Sequence, residues 1–405
     1  MSGSRTVVVV LALLVCLGAF GGVALATTQQ PSSSMTVQPV DDTSNYLAPN
    51  ASDVERSGQE TTSLDVAASV SANAAGVRST FSTVSFRRKY DDADTDADRR
   101  AVVRNGTERL AERVDALERR ERRAIEAYAR GETNQEDLFR TLAAIDAEAG
   151  ARSSTATELR DRATDLGMDA EAERLSALRI RLVALRGPVR AEITVGLGGE
   201  RTRVHAETAG GGVALATVQE DEDGNLVYLR EAYDPGIRSV GPNDQYEGDV
   251  GAVFNRLGEI YPWVNDGDVG VAGANFISAD AARLYSITYE HDHGRLTPYL
   301  DGESNRVVRE TQRLRVATLP TEGRNLTADS DPGTPRVRVE TTYPGGPLGV
   351  TAFDAATGER VDASIAVDGT VVGSTDGERL WTVAPRGRAN VTVVDDERVS
   401  VEIAG

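Results

Sequence analysis

Cysteine occurs once in the 405 residues, at Cys16, and lysine once, at Lys89; there are three histidines and two tryptophans. A lone cysteine excludes an internal disulfide and a cysteine-ligated metal site. The three histidines, His205, His291 and His293, leave little material for imidazole chemistry. The chain also lacks Gly-x-Ser-x-Gly, a phosphate-binding loop, a dinucleotide fingerprint and His-Glu-x-x-His,. Carboxylates are so frequent that no pair stands apart as an acid and base,. No catalytic residue and no cofactor are therefore expected.

There is one long apolar run, and it comes at the start. After Arg5 the chain is apolar or small over residues 7–26, closes on Ala24-Leu25-Ala26, and turns polar at Thr27-Thr28-Gln29-Gln30. That order describes a secretory signal peptide, residues 1–26, cleaved after Ala26. Residues 7–25 are also just long enough to span a bilayer, so a retained anchor is the alternative. Cys16 follows Val15 inside the run, where a lipoprotein signal would place a small residue. No arginine pair precedes the run, so the general secretory route is expected, with an extracellular or cell-envelope destination. No later segment reaches membrane-spanning length, so membrane contact is expected only through an uncleaved N-terminus.

Charge is lopsided. The 63 acidic residues outnumber the 44 basic ones, giving a net charge of −19, and every basic residue except Lys89 is arginine. Such a surface repels itself in dilute buffer. In molar salt the Debye length shrinks to about 3 Å and the repulsion is screened, which fits a halophile. The same acidity argues against nucleic-acid binding, which needs a basic footprint.

Residues 27–63, rich in Ser, Thr, Gln, Pro and Asp, read as a disordered polar linker,. Residues 64–197 carry helical spacing. Val66, Val70, Ala74, Val77, Phe81 and Val84 step by three or four. Val103, Leu110, Leu117 and Ala124 repeat every seven, with Val114 and Tyr128 alongside; Leu138, Leu142, Ile145 and Ala149 follow the same rule, as do Leu175, Leu178, Leu182 and Leu185,. Gly131 ends one helix, and Thr133 with Glu136 forms a capping box for the next. Further breaks fall at Leu166-Gly167 and Gly187-Pro188. The expectation is an antiparallel α-helical bundle with coiled-coil seams.

From residue 200 to 320 the period drops to two, which predicts a small central α+β domain. Asp221-Glu222-Asp223-Gly224-Asn225 is its first hairpin turn, His291-Asp292-His293-Gly294 its second, and helices are expected over residues 250–261 and 305–316. A Pro/Gly/Asp-rich stretch, residues 321–335, leads to a final all-β sandwich over residues 336–405. Its short strands are punctuated at Thr357-Gly358, Asp368-Gly369, Asp376-Gly377 and Pro385-Arg386-Gly387,.

Four sequons offer glycosylation candidates: Asn50 and Asn325 in expected linkers, Asn105 on a helix and Asn390 at a strand start,. His291 and His293 alone have metal-ligand character, since residues two apart on a strand share a face. A polar hairpin turn ending at Gly294 is the simpler explanation of them. The acids at residues 91–98 and 221–225 lack the twelve-residue calcium loop, and suit a helix start and a turn. The arginine-rich residues 118–123 read as a self-neutralising solvated face, with Asp115 spaced four from Arg119, Glu118 from Arg122 and Glu126 from Arg130,. Tyr261-Pro262-Trp263 suits a core position at a helix end better than a binding patch.

The whole chain resembles uncharacterised exported proteins of halophilic archaea, built of successive domains of unknown function. The likeness rests on Gln38-Pro39-Val40, Asn45-Tyr46-Leu47, Tyr128-Ala129-Arg130-Gly131-Glu132, Arg230-Glu231-Ala232-Tyr233-Asp234 and Gly294-Arg295-Leu296. It implies three successive domains and transfers no site residue. Residues 337–403, with Thr357-Gly358-Glu359 and Val367-Asp368-Gly369, resemble transthyretin-like or carboxypeptidase-regulatory-like sandwiches. Residues 250–316 resemble the helix-hairpin pattern of PepSY modules, which implies modulation of an exported protease. Export, modular layout and missing catalytic motifs together favour a non-enzymatic envelope or extracellular protein whose partners are other proteins there. A metal-dependent hydrolase using His291 and His293 is the alternative from another class.

Overall fold

Three of the first five helices begin on a side chain that caps them. In the computed structural model, which describes residues 34–40, 45–238, 243–279, 282–326, 336–394 and 399–404, five helices follow one another: α1 (Val66–Asp91), α2 (Asp96–Ala129), α3 (Gln135–Asp165), α4 (Asp169–Ala184) and α5 (Pro188–Leu197). The expected signal segment, with Cys16 and the cleavage site at Ala26, lies outside the described residues. Asp65 caps α1 by accepting from the Ala68 amide, and Thr95 caps α2 by accepting from Asp98,. The cap of α3 falls one residue later than the sequence pattern placed it. Asn134 accepts from the Asp137 amide, while Glu136 turns to Arg140. Pro188 opens α5, where a missing amide costs nothing,.

The seven-residue seams are the buried ones. Val103, Leu110, Val114, Leu117, Ile145, Ala149, Leu159, Leu175, Leu178, Leu182 and Leu185 form one core with Phe86 and Tyr90 of α1. The stripe on α1 is a correction: Val66, Val70, Val77, Phe81 and Val84 are exposed. The helix seats only its last turns in that core, and no described element covers its other face.

A second layer is an eight-stranded antiparallel sheet, β3 (Arg56–Thr61), β4 (Arg203–Ala209), β5 (Gly212–Glu220), β6 (Leu226–Tyr233), β7 (Gly270–Ala279), β8 (Ala282–His291), β9 (Gly294–Asp301) and β10 (Arg306–Arg315), in the order β3-β4-β5-β6-β10-β9-β8-β7. Alternation along each strand gives the sheet two different faces. Val204, Ala206, Val213, Leu215 and Leu229 pack on Ile125, Phe139, Leu142, Val189 and Ile193 of the helices. Opposite, helix α6 (Val250–Ile260) and a hairpin of β1 (Met35–Gln38) and β2 (Tyr46–Pro49) press Met35, Leu47, Val253 and Leu257 onto Tyr285, Ile287, Leu296, Leu300 and Val307.

Two sequence expectations fail here. Residues 27–63 are not a linker throughout: β1 and β2 pair with each other, and β3 pairs with β4 from Arg56↔Thr208 to Thr61↔Arg203. Residues 305–316 are not a helix either, because Arg306–Arg315 forms β10 between β6 and β9. The helix-hairpin order ascribed to residues 250–316 thus ends in strands.

The C-terminal strands are β11 (Glu322–Leu326), β12 (Arg336–Thr341), β13 (Pro347–Phe353), β14 (Ser364–Val367), β15 (Thr370–Ser374), β16 (Leu380–Val383), β17 (Arg388–Val394) and β18 (Val399–Ala404). They make two four-stranded sheets, β11-β12-β13-β16 and β15-β14-β17-β18, whose apolar side chains share one core around Val339, Val350, Ile365, Val372, Val391 and Val393. Asp368-Gly369 turns with both residues left-handed, at φ 48° and 81°, as a tight hairpin between β14 and β15 demands,. Tyr343 and Val383 leave this module to pack with Tyr46, Tyr228 and Leu314. Among the described residues, no helix is long and apolar enough to cross a membrane.

Candidate functional site

The β8–β9 hairpin brings its two histidines together. The ring centres of His291 and His293 lie 5.9 Å apart, and the Trp263 ring sits 4.9 Å from His291, tilted at 59° to it. Burial, with help from His293 and Arg315, pulls the His291 imidazole down to about 4, so it is neutral near neutrality. Among the described residues, His291 Nε2, His293 Nδ1, Trp263 Nε1 and the Tyr289 hydroxyl have no hydrogen-bond partner. Among the described residues no group of three His, Cys, Asp or Glu side chains converges there or elsewhere. Two imidazoles are one ligand short of a catalytic zinc site.

The densest polar chemistry lies on the sheet face under the β1–β2 hairpin. Glu310 is fully buried and accepts from the Leu47 amide at 2.8 Å, the Tyr261 hydroxyl at 2.6 Å and Gln312 Nε2 at 2.7 Å, with Arg230 Nη1 at 3.6 Å. Burial pushes its carboxyl up to about 6, against the pull of Arg230 and those donors. Arg230 lies 5.0 Å from the Tyr46 ring centre, and Arg386 of the C-terminal module 5.8 Å from it,. Burial would also raise Glu207, yet the hydrogen bond and charge of His205, then Arg386 and Arg230, hold it at about 2. The Tyr46 and Tyr228 hydroxyls donate to the carbonyls of Pro344 and Gly345. Tyr261 thus fills the core position expected of it, and this network ties the N-terminal hairpin, the sheet and the C-terminal module together.

On the helix side, Arg190 is 1% exposed and bridges Glu121 at 2.6 Å and Glu231 at 2.8 Å. Burial raises the Glu121 carboxyl even with that guanidinium beside it. Gly187 makes room for the pair: a Cβ there would sit 1.7 Å from Glu231 Oε2. Residues 118–123 are consequently not a uniformly solvated face. Asp115 and Glu118 both pair with Arg181 across the helices, at 2.5 and 2.6 Å, rather than with Arg119 and Arg122. Only the Glu126–Arg130 pair forms as its spacing suggests, at 3.8 Å.

The acidic stretches take the structural roles expected of them. Asp96 and Asp98 open α2, and Asp221 accepts from the amides of Asp223 and Asn225 in the β5–β6 turn. Of the sequons, Asn105 and Asn390 are exposed, but Thr107 of the former is buried with its hydroxyl on the Val103 carbonyl. Asn50 is half-buried and donates to Asp53. Residue 325 sits in β11, paired with residue 338, and not in a linker. A cavity of about 550 Å³ opens between α1, α2 and α3, lined by Phe81, Phe86, Val102, Leu110 and Leu159. Phe81 also belongs to the exposed stripe of α1. Sequence reasoning had that stripe's residues and spacing, and assigned it to the core.

Three family models match in succession. Residues 3–202 match a domain of unknown function, DUF7096; residues 204–320 match a family of unknown function, DUF7094; residues 320–402 match an archaeal fibronectin-III type-like domain. The chain is accordingly similar to a multidomain archaeal protein, helical in its N-terminal part and β-rich in its C-terminal part. No curated protein and no solved structure matches it.

Proposed function

We propose that this chain is an exported, non-enzymatic interaction protein of the archaeal cell envelope or its surroundings. Its helices serve as an antiparallel bundle that presents a contact surface, and its C-terminal sheets as a supporting β-sandwich. One observation carries the reading. Along α1, five large apolar side chains in a row face solvent on a chain of net charge −19, where soluble monomers keep such patches small,. The apolar run and Ala24-Leu25-Ala26 end support export, and the carboxylate excess with a single lysine supports a high-salt setting,. The exposed Asn390 is a position where a glycan would meet solvent,.

The test combines location with contact. Fractionated cells are expected to hold the protein in the envelope or medium, starting at Thr27. A photo-crosslinking residue in place of Val77 is expected to trap a protein there, and one in place of the buried Val114 to trap none. Recovery of the full-length chain from the cytosol, or no crosslink from residue 77, would overturn the proposal.

A further inference from the structure

The exposed side of α1 has a definite shape. Val66, Val70, Val77, Phe81 and Val84 are 64, 60, 70, 74 and 55% exposed, and Leu64 just ahead of the helix is 62% exposed. They run about 27 Å along one side of the helix at 1.5 Å per residue. Val70, Val77 and Val84 repeat every seven residues, and small residues, Ala67, Ala74 and Gly76, lie between them. A Cβ added at Gly76 would meet nothing within 4 Å. The opposite end of the helix is firmly seated through Phe86 and Tyr90, so the stripe is held out on a fixed support.

Taking α1 to be an interaction surface as proposed above, we infer that its partner is a second copy of this chain, docked stripe to stripe about a two-fold axis. Three observations favour that occupant. Arg78 is the single charged residue from 66 to 86, in a protein with 63 acids. Two copies can therefore meet here without setting carboxylates against each other, which most other approaches would do. The surface is also large enough. The six side chains offer roughly 600 Å² of apolar area per chain, so a symmetric pair would bury about 1,200 Å², the lower edge of specific interfaces. Finally, a valine ridge flanked by small residues is complementary to its own image, ridge into groove, as an isologous contact requires. A lipid surface fits less well, because membrane-lying helices carry several basic side chains along the polar face, and residues 66–86 hold a single basic residue, Arg78,.

The experiment uses protein purified from its own cells, with its N-terminus determined, in about 2 M KCl, where self-repulsion is screened. Sedimentation equilibrium is expected to give twice the monomer mass. Val77→Asp together with Phe81→Asp is expected to weaken association by about 100-fold or more, because each dimer would then bury unpaired carboxylates. A second measurement does not depend on those substitutions. In a Cys16→Ser background, Val77→Cys lies near the middle of the stripe and is expected to form a chain-to-chain disulfide on mild oxidation, whereas Val195→Cys, an exposed position on α5, is not. A monomer at every concentration, a dimer untouched by the double substitution, a crosslink from residue 77 to residues 7–25 of the same chain, or co-sedimentation with anionic vesicles in place of dimerisation would each overturn the inference. A monomer that still crosslinks to a different protein from residue 77 would overturn the second copy alone and leave the broader proposal standing. No crosslink of any kind would remove both.

Discussion

Glu310 joins segments that are far apart in the chain: its carboxylate meets Leu47, Arg230, Tyr261 and Gln312. Its proton is held more tightly in the folded protein, at about 6, than at the ordinary 4.5. The stability this contributes is fully present below about pH 4.5 and is lost as pH rises through about 6,. Glu310→Gln removes the titration. Relative to the native chain, the variant is expected to gain about 2 kcal/mol between pH 4.5 and 7, read from denaturant melts across that range. A difference that stays constant with pH would contradict the burial argument. None of this was legible in the sequence. Charged residues advertise solvent exposure, and only the fold reveals that Arg230, Glu231, Arg309 and Glu310 point inward with partners waiting.

The elements that could be read were those whose pattern is apolar. The apolar spacings read along α2, α3 and α4 fall on side chains packed in the cores, because burial selects side chains of one kind at one spacing,. Strand β10 was read as a helix because its inward positions include Glu310 and Gln312, so the period of two carries no apolar signal. Strand β11 was hidden by the Pro/Gly/Asp-rich residues beside it, yet it pairs with β12 from Glu322↔Thr341 to Leu326↔Val337. The α1 stripe shows the opposite failure, since apolar spacing says that a face will be covered without saying by what. The β11 pairing predicts that a fragment of residues 320–405 melts cooperatively, while one of residues 336–405 melts about 10 °C lower, an edge strand's hydrogen bonds being worth a couple of kcal/mol in a domain this small. Equal melting temperatures would show that the five residue pairs of β11 with β12 contribute nothing.

At the scale of the molecule, charge and connection order dominate. Screening of like charges saturates within a few tenths molar salt, whereas salting-out of apolar surface continues into the molar range. Melts in KCl from about 0.1 to 3 M are expected to rise throughout, and a plateau above about 0.5 M would mean screening alone. The sheet order has a consequence in time. Strands β3 and β4 lie side by side, yet residues 62–202 intervene, so β3 is synthesised first and has no neighbour until all five helices have been made,. Throughout that delay a strand with an open edge risks sticking to whatever passes. Its sequence, Arg56-Ser57-Gly58-Gln59-Glu60-Thr61, has nothing greasy to offer. The polarity that disguised β3 as a linker is what allows it to wait in water until its place beside β4 exists.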